Sequence, residues 1–372
     1  METASINSKN QYFLLNLTEP LLTRLFSFLI NLNNSVMKNI FYKFLAILFL
    51  CTTFFSCKPP DDQIKIGISL GPLHERWEKD KTYLIENLEA KGVKVILKEA
   101  NNNEALQKEQ FLDLVKSKVD VIIMVPINSN SAGSLVQAAK KNGVKVIAYD
   151  RLIMNCDLDY YIAFDNMKVG ELQADYLTRI APTGNYAVLG GDPKDYNSIF
   201  LRLGQMNVLQ PLITRKDIKV VLDKNVENWD ADVAYKIVND YLNESNDLDA
   251  IIASNDMIAK GVCKALKEHD LCGKTLVSGQ DAETDACKRI VQGNQTMTVY
   301  KYIESLANAT TNIAISLAKN GDLLYSQTTI NNGKIMVPSI QLPNMIQVNK
   351  ENIRMTVIAD GYLDEKVVFE GM

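Results

Sequence analysis

The side chains best equipped for chemistry stand just beyond short apolar runs. Asp150 and Arg151 follow Val144–Tyr149, Asp165 and Asn166 follow Tyr160–Phe164, and Asn255 and Asp256 follow Ala250–Ser254. Gln280 and Asp281 follow Thr275–Gly279, and Lys301 ends the run Met297–Tyr300. Beyond Asn185–Gly191 come Asp192, Asp195 and Asn197. The two tryptophans occupy comparable places: Trp77 next to Arg76 after the first run, and Trp229 after the run ending at Leu222. Taken singly, an Asp or Asn here is explained as a helix N-cap that satisfies free amide donors, and Asp165, Asp192 and Asp256 can be only that. Together the residue types fit a sugar. Indole rings stack on the C–H faces of a pyranose, while carboxylates, amides and guanidinium groups grip its hydroxyls by paired hydrogen bonds. A phosphate would call for a glycine-rich loop at a helix N-terminus. Gly273-Lys274-Thr275 imitates the end of such a loop, but the glycine required five residues earlier is Glu268, and the segment leads from helix to strand.

Positioning these residues takes a regular alternation of elements. From Ile64, short β-branched runs at 64–70, 93–97, 119–125, 144–149 and 159–164 alternate with helical patterns at 76–91, 103–118 and 131–142. After a helix over 166–181 the rhythm restarts, with strands at 185–189, 218–222, 250–253, 275–278 and 297–300. Helical patterns at 196–209, 230–243, 257–269 and 283–292 separate them. The fold class is therefore α/β, with two doubly wound parallel-sheet lobes. A further amphipathic helix covers 302–320, and the tail from Asn331 has short extended pieces. Ligands of such sheets bind outside the carboxyl ends of the strands, where the polar residues above fall.

Composition narrows the function. The 372 residues carry 40 Lys+Arg against 44 Asp+Glu, a formal charge of −4, with no basic excess to neutralise the phosphates of a nucleic acid. Two histidines, His74 and His269, leave little material for His-based metal sites or acid–base catalysis, so neither metal nor cofactor is expected. Residues 38–43 carry two lysines, 44–55 are uncharged, and Ser56-Cys57 follow. This reads as a signal peptide of lipoprotein type over 37–57. Residues 1–36 are then an upstream extension, Cys57 is the lipidated residue, and 58–63 is a proline-containing tether. The alternative is a buried or membrane-lying helix, since about a dozen apolar residues fall short of the ~20 that span a bilayer. Residues 1–56 hold four basic and two acidic side chains, so the remainder carries −6. Cys156, Cys263, Cys272 and Cys287 lack zinc spacing and read as isolated buried thiols, with Cys263 and Cys272 the nearest pair for one disulfide.

The segments Glu75-Arg-Trp-Glu-Lys-Asp80, Ala148-Tyr-Asp-Arg151, Phe164-Asp-Asn-Met-Lys-Val-Gly-Glu-Leu-Gln173, Ala253-Ser-Asn-Asp256, Ser278-Gly-Gln-Asp281 and Gln295-Thr-Met-Thr-Val-Tyr-Lys301 resemble the ribose/galactose type of periplasmic sugar-binding proteins, and within it the xylose binders of bacterial ABC importers. The resemblance runs from about Ile64 to about Gly361. It implies a type I periplasmic-binding-protein fold whose lobes are joined by three crossings, near 165–168, 300–303 and 337–339. The lobes are then 64–165 plus 302–337 and 166–301 plus 338–372. It also implies sugar contacts from Arg76, Trp77, Asp150 and Arg151 in the first lobe, from Asp195, Asn197, Trp229, Asn255 and Asp281 in the second, and from Lys301 at a crossover. The departures are the leader, Tyr196 and Ser198 beside the loop contacts, and the four cysteines.

The resulting expectation is a monomeric, lipid-anchored receptor on the periplasmic side of a bacterial membrane. It would capture a monosaccharide, D-xylose first, and hand it to an ABC permease. A sensory subunit presenting sugar to a kinase or chemoreceptor is the alternative. A transcription repressor would need a helix-turn-helix before residue 64. A glycosidase would need two of Asp150, Asp195 and Asp281 to flank a scissile bond. No enzyme is expected.

Overall fold

Two sheets with the same winding organise the computed structural model. It describes residues 63–72, 74–320 and 328–371, with Asn39 and Lys43 besides. The expected extension, signal peptide, Cys57 and nearly all of the tether lie outside the described residues.

The first sheet is built from β1 (Lys65–Leu70), β2 (Lys94–Glu99), β3 (Val121–Val125), β4 (Lys145–Tyr149) and β5 (Tyr160–Phe164). Two later strands, β11 (Thr328–Asn331) and β12 (Met336–Leu342), complete the order β11-β12-β5-β4-β3-β1-β2. All pairs are parallel except β11 with β12. Helices α1 (Glu75–Ala90), α2 (Glu104–Lys116) and α3 (Gly133–Lys141) return the chain between its strands. The continuous apolar runs are explained by burial on both faces. Val121 and Ile123 face one core with Leu84 and Leu88 of α1, while Ile122 and Met124 face another with Phe111 and Leu114 of α2.

The second lobe repeats the plan. Strands β6 (Gly184–Gly190), β7 (Ile218–Asn225), β8 (Ala250–Ala253) and β9 (Leu276–Val277) lie in the order β7-β6-β8-β9. Around them run α4 (Asn166–Ile180), α5 (Asn197–Thr214), α6 (Ala231–Leu242), α7 (Asp256–Glu268) and α8 (Thr284–Gln292). A two-stranded ribbon of β10 (Thr298–Lys301) and β13 (Met345–Val348) stands beside them. The last elements are α9 (Ile303–Ala318), which packs against α1 in the first lobe, and the short α10 (Glu365–Val368) against α8.

Local caps fix the strand-to-helix corners. Asn103, Asp165, Asp230 and Asn255 each accept a backbone N–H from the first turn of α2, α4, α6 and α7. The cap at α7 is thus Asn255 and not Asp256. Gly143 takes φ 74° just past α3, the left-handed end that glycine permits.

Three segments join the lobes: Asp165, Tyr302, and Pro343–Asn344. The third corrects the crossing expected at Val337–Ser339 and the boundary at 337/338. Strand β12 stays in the first sheet to its end, since Ile340 and Leu342 pair with Ile162 and Phe164 of β5. Two other extents also differ. Helix α5 runs through Pro211 to Thr214, and β7 continues past Leu222 to Asn225. All four described cysteines are free. Cys263 and Cys272 each donate to Asn294, to its carbonyl and its side-chain oxygen respectively.

Candidate functional site

The corners at the strand ends deliver all ten expected residues to one cavity between the lobes. Arg76 and Trp77 come from the first turn of α1, and Asp150 and Arg151 directly follow β4. From the other side come Asp195 and Asn197 around the start of α5, Trp229 after β7, Asn255 at the cap of α7 and Asp281 after β9. Lys301 is the last residue of β10. Three of these residues hold the left-handed backbone that L side chains avoid: Asp150 at φ 62°, Trp229 at φ 57° and Asp281 at φ 97°. The Trp229 ring is seated against Gly191, where a Cβ would lie 2.0 Å from the indole Cη2.

The charged groups form one connected network. Arg76 bonds Asp80 through Nε at 3.0 Å, Asp150 through Nη2 at 2.5 Å, and Asp281 through Nη1 at 3.5 Å. Lys301 Nζ reaches Asp281 at 2.8 Å, and Arg151 Nε reaches Asp195 at 2.8 Å. Asn197 Nδ2 donates to both the carbonyl and the carboxylate of Asp150 at 3.1 Å. Three of these contacts cross between the lobes: Arg76 to Asp281, Arg151 to Asp195 and Asn197 to Asp150. Both guanidinium groups also stand over Trp77, at 4.4 Å for Arg76 and 5.5 Å for Arg151.

Burial sets the protonation of these groups against their partners. For Arg76, desolvation disfavours the charge, but Asp150, Asp80 and Asp281 outweigh it and hold the guanidinium well above its usual pKa. For Asp150, burial pushes upward, yet Arg76, Lys301 and Arg151 bring it below the usual carboxylate range. Asp195 is raised, because burial exceeds the pull of Arg151. Asp80, behind Arg76 and hydrogen-bonded by Tyr149, is pushed by burial to about 6.

Four further residues line the cavity: His74, Asn166, Gln280 and Glu283. Asn166 and Gln280 belong to the strand-end pattern of the sequence, although neither stands among the ten expected contacts. His74 and Glu283 precede the first residues of α1 and α8, and no spacing in the sequence singles them out. Glu283 is raised well above a normal carboxyl by burial, then by Asp256, Asp281 and Glu75. Burial, with Arg151 nearby, lowers His74.

The lining keeps hydrogen-bonding capacity in reserve. Asn166 Nδ2, Asn197 Oδ1, Gln280 Oε1 and Trp229 Nε1 are buried without a protein partner. Donors, acceptors and two indoles around one small cavity can hold a compact polyhydroxylated molecule. Among the described residues no group of three or more His, Cys, Asp or Glu is placed to hold a metal ion.

Comparison with known proteins places this geometry in context. The profile described as a periplasmic binding protein domain matches residues 66–322. A D-xylose-binding periplasmic protein of Escherichia coli is 44% identical over 323 residues, covering 86% of this chain and 97% of the relative. Another of that name, from Haemophilus influenzae, is 43% identical over 319 residues, covering 85% and 96%. A carbohydrate transporter solute-binding protein from Chloroflexus aurantiacus, solved in complex with D-glucose, superposes with TM-score 0.76 at 31% identity. That match covers 82% of this chain and 98% of the other. These relatives are solute-binding proteins and not enzymes.

Proposed function

The chain belongs to the periplasmic binding protein family, and from that premise we propose that it is a receptor that captures D-xylose between its lobes and delivers it to an ABC permease. The observation that carries the reading is the convergence on one interlobe cavity of three cations, their carboxylates, two indoles and four unpaired amide or indole atoms. The ten residues expected from the sequence are its sugar contacts. Trp77 and Trp229, one from each lobe, offer apolar faces to the ring, and Asp150, Asp281, Asn197 and Asn255 take its hydroxyls.

Capture works by closure. Hydrogen bonds from both lobes to one sugar exist only when the lobes meet, so ligand draws the population to the closed state. A pentose has about ten heavy atoms, which at roughly 0.8–1 kcal/mol each gives a Kd of order micromolar to ~0.1 μM. The receptor acts as a monomer on the periplasmic side, held to the membrane by lipid on Cys57.

Titration calorimetry with D-xylose tests the reading. Trp229→Ala and Asp281→Ala each cost at least ~2 kcal/mol of affinity, through lost stacking or an unpaired polar group. Unchanged affinity in both would refute the site.

A further inference from the structure

Asp256 touches none of the cavity, yet it governs the residue that does. It is 1% exposed and is the first residue of α7, with its N–H donated to the Gln280 carbonyl at 3.0 Å. Its carboxylate receives three donors. Oδ2 accepts from Glu283 N at 3.0 Å and Thr298 Oγ1 at 2.9 Å, and Oδ1 accepts from Gln295 Nε2 at 2.9 Å. Its carbonyl takes Arg289 Nη2 at 3.0 Å. At Gly279 a Cβ would lie 1.9 Å from Asp256 Oδ1, so the chain approaches this carboxylate as only glycine permits.

These bonds control the turn that carries Asp281. Asp281 and Ala282 both hold positive φ, 97° and 52°, a conformation costing on the order of 1 kcal/mol or more per residue unless the surroundings impose it. The surroundings here are three amide bonds. Asp281 N donates to Val299 O at 2.8 Å, Ala282 N to Thr298 Oγ1 at 3.3 Å, and Glu283 N to Asp256. The Thr298 hydroxyl has one proton and gives it to Asp256, which leaves its lone pairs facing Ala282. Two of the three restraints therefore depend on Asp256. An asparagine has one oxygen for the three donors, so its NH2 must face either the Gln295 amide or the Glu283 and Thr298 pair.

We propose that Asp256 is a positioning residue for sugar capture, acting through the 281–283 turn to hold the Asp281 carboxylate where it bridges Lys301 and Arg76. The inference rests on the sugar-binding reading above and adds to it the residue that gives the Asp281 contact its geometry.

The experiment is a double-mutant cycle on the full chain, read by D-xylose calorimetry, with thermal melts confirming that each variant is folded. Asp256→Asn weakens binding about tenfold or more in the otherwise unaltered protein. In an Asp281→Asn background the same change costs less than about twofold, because the group it positions is already gone. An equal loss in both backgrounds, the signature of a general packing role, overturns the inference, as does no loss in either. If Asp256→Asn fails to fold, Thr298→Val removes the relay alone and is judged by the same two outcomes. Failure of the unaltered protein to bind D-xylose is a separate result, which sinks the sugar reading and the inference with it.

Discussion

At Asp80 and Asp256 the molecule holds carboxyls that burial makes harder to ionise. Burial raises them to about 6 and about 7, against about 3.9 in an unfolded chain. Between those limits the folded state binds more protons than the unfolded state, so stability falls as pH rises. Glu283 and Asp195, also raised, act in the same direction. Two groups oppose them: the lowered Asp150 adds stability above the unfolded pKa that is lost only in stronger acid, and the lowered His74 costs stability as pH falls below about 6.5. The sugar-free protein is therefore more stable near pH 5 than near pH 8, by on the order of 1 kcal/mol per pH unit for each raised group across its own window. Urea midpoints at the two pH values check this, and a midpoint that holds level or rises toward pH 8 would contradict it. Asp256→Asn flattens the slope, because the upper titrating group is gone.

At the scale of elements, the corners matter more than the strands. The seat of Trp229 depends on Gly191 having no side chain, whereas the φ of Gly191 is not one that requires glycine. Gly191→Ala therefore tests space alone. It displaces the indole, weakens D-xylose binding about tenfold and costs roughly 1–3 kcal/mol of stability from overpacking. Tryptophan fluorescence together with titration reads both effects, and an unchanged spectrum with unchanged affinity would count against the contact. The corners also explain what the sequence disclosed. Strand ends and polar followers such as Asp150-Arg151 and Gln280-Asp281 stand out because apolar runs stop abruptly there. Glu283 and His74 do not, since their place depends on how α8 and α1 meet across the seam. The third crossing escaped for a similar reason. Pro338 and Gln341 interrupt the apolar pattern, and only pairing with β5 shows that the strand continues. The role of Asp256 was hidden behind its neighbour: Asn255-Asp256 looks like an ordinary cap, and Asn255 alone serves as one.

At the scale of the whole molecule, the lobes also bond to each other directly. Glu75 of α1 accepts the Thr284 N–H, at 3.1 Å to its nearer oxygen, and the Thr284 hydroxyl at 2.6 Å, so one lobe caps helix α8 of the other. Ser129 N donates to Lys194 O at 2.9 Å, and Tyr196 N donates to Ser129 Oγ at 3.1 Å. Such bonds favour closure whether or not they meet the ligand. Glu75 does not line the cavity, so Glu75→Ala should weaken D-xylose binding mainly through closure. The expected cost is about 1 kcal/mol, roughly fivefold, reduced from that of a fully buried charged bond by its partial exposure. Thr284→Ala should give a similar loss, and the pair should not add. Calorimetry on the four proteins decides it, and full additivity would mean that the two residues act separately.

The continuation of β12 to Leu342 has a consequence for the order of folding. Its partner β5 ends at Phe164, and the whole second-lobe sheet is read out in between. As the chain emerges from a ribosome or a translocation channel, the backbone edge of β5 waits unpaired until β12 arrives, with fully apolar Ile162 and Phe164 along it. The first lobe, although begun first, is therefore not finished until the second-lobe sheet has been read out. Until then its open edge is an aggregation-prone surface, of the kind a chaperone covers.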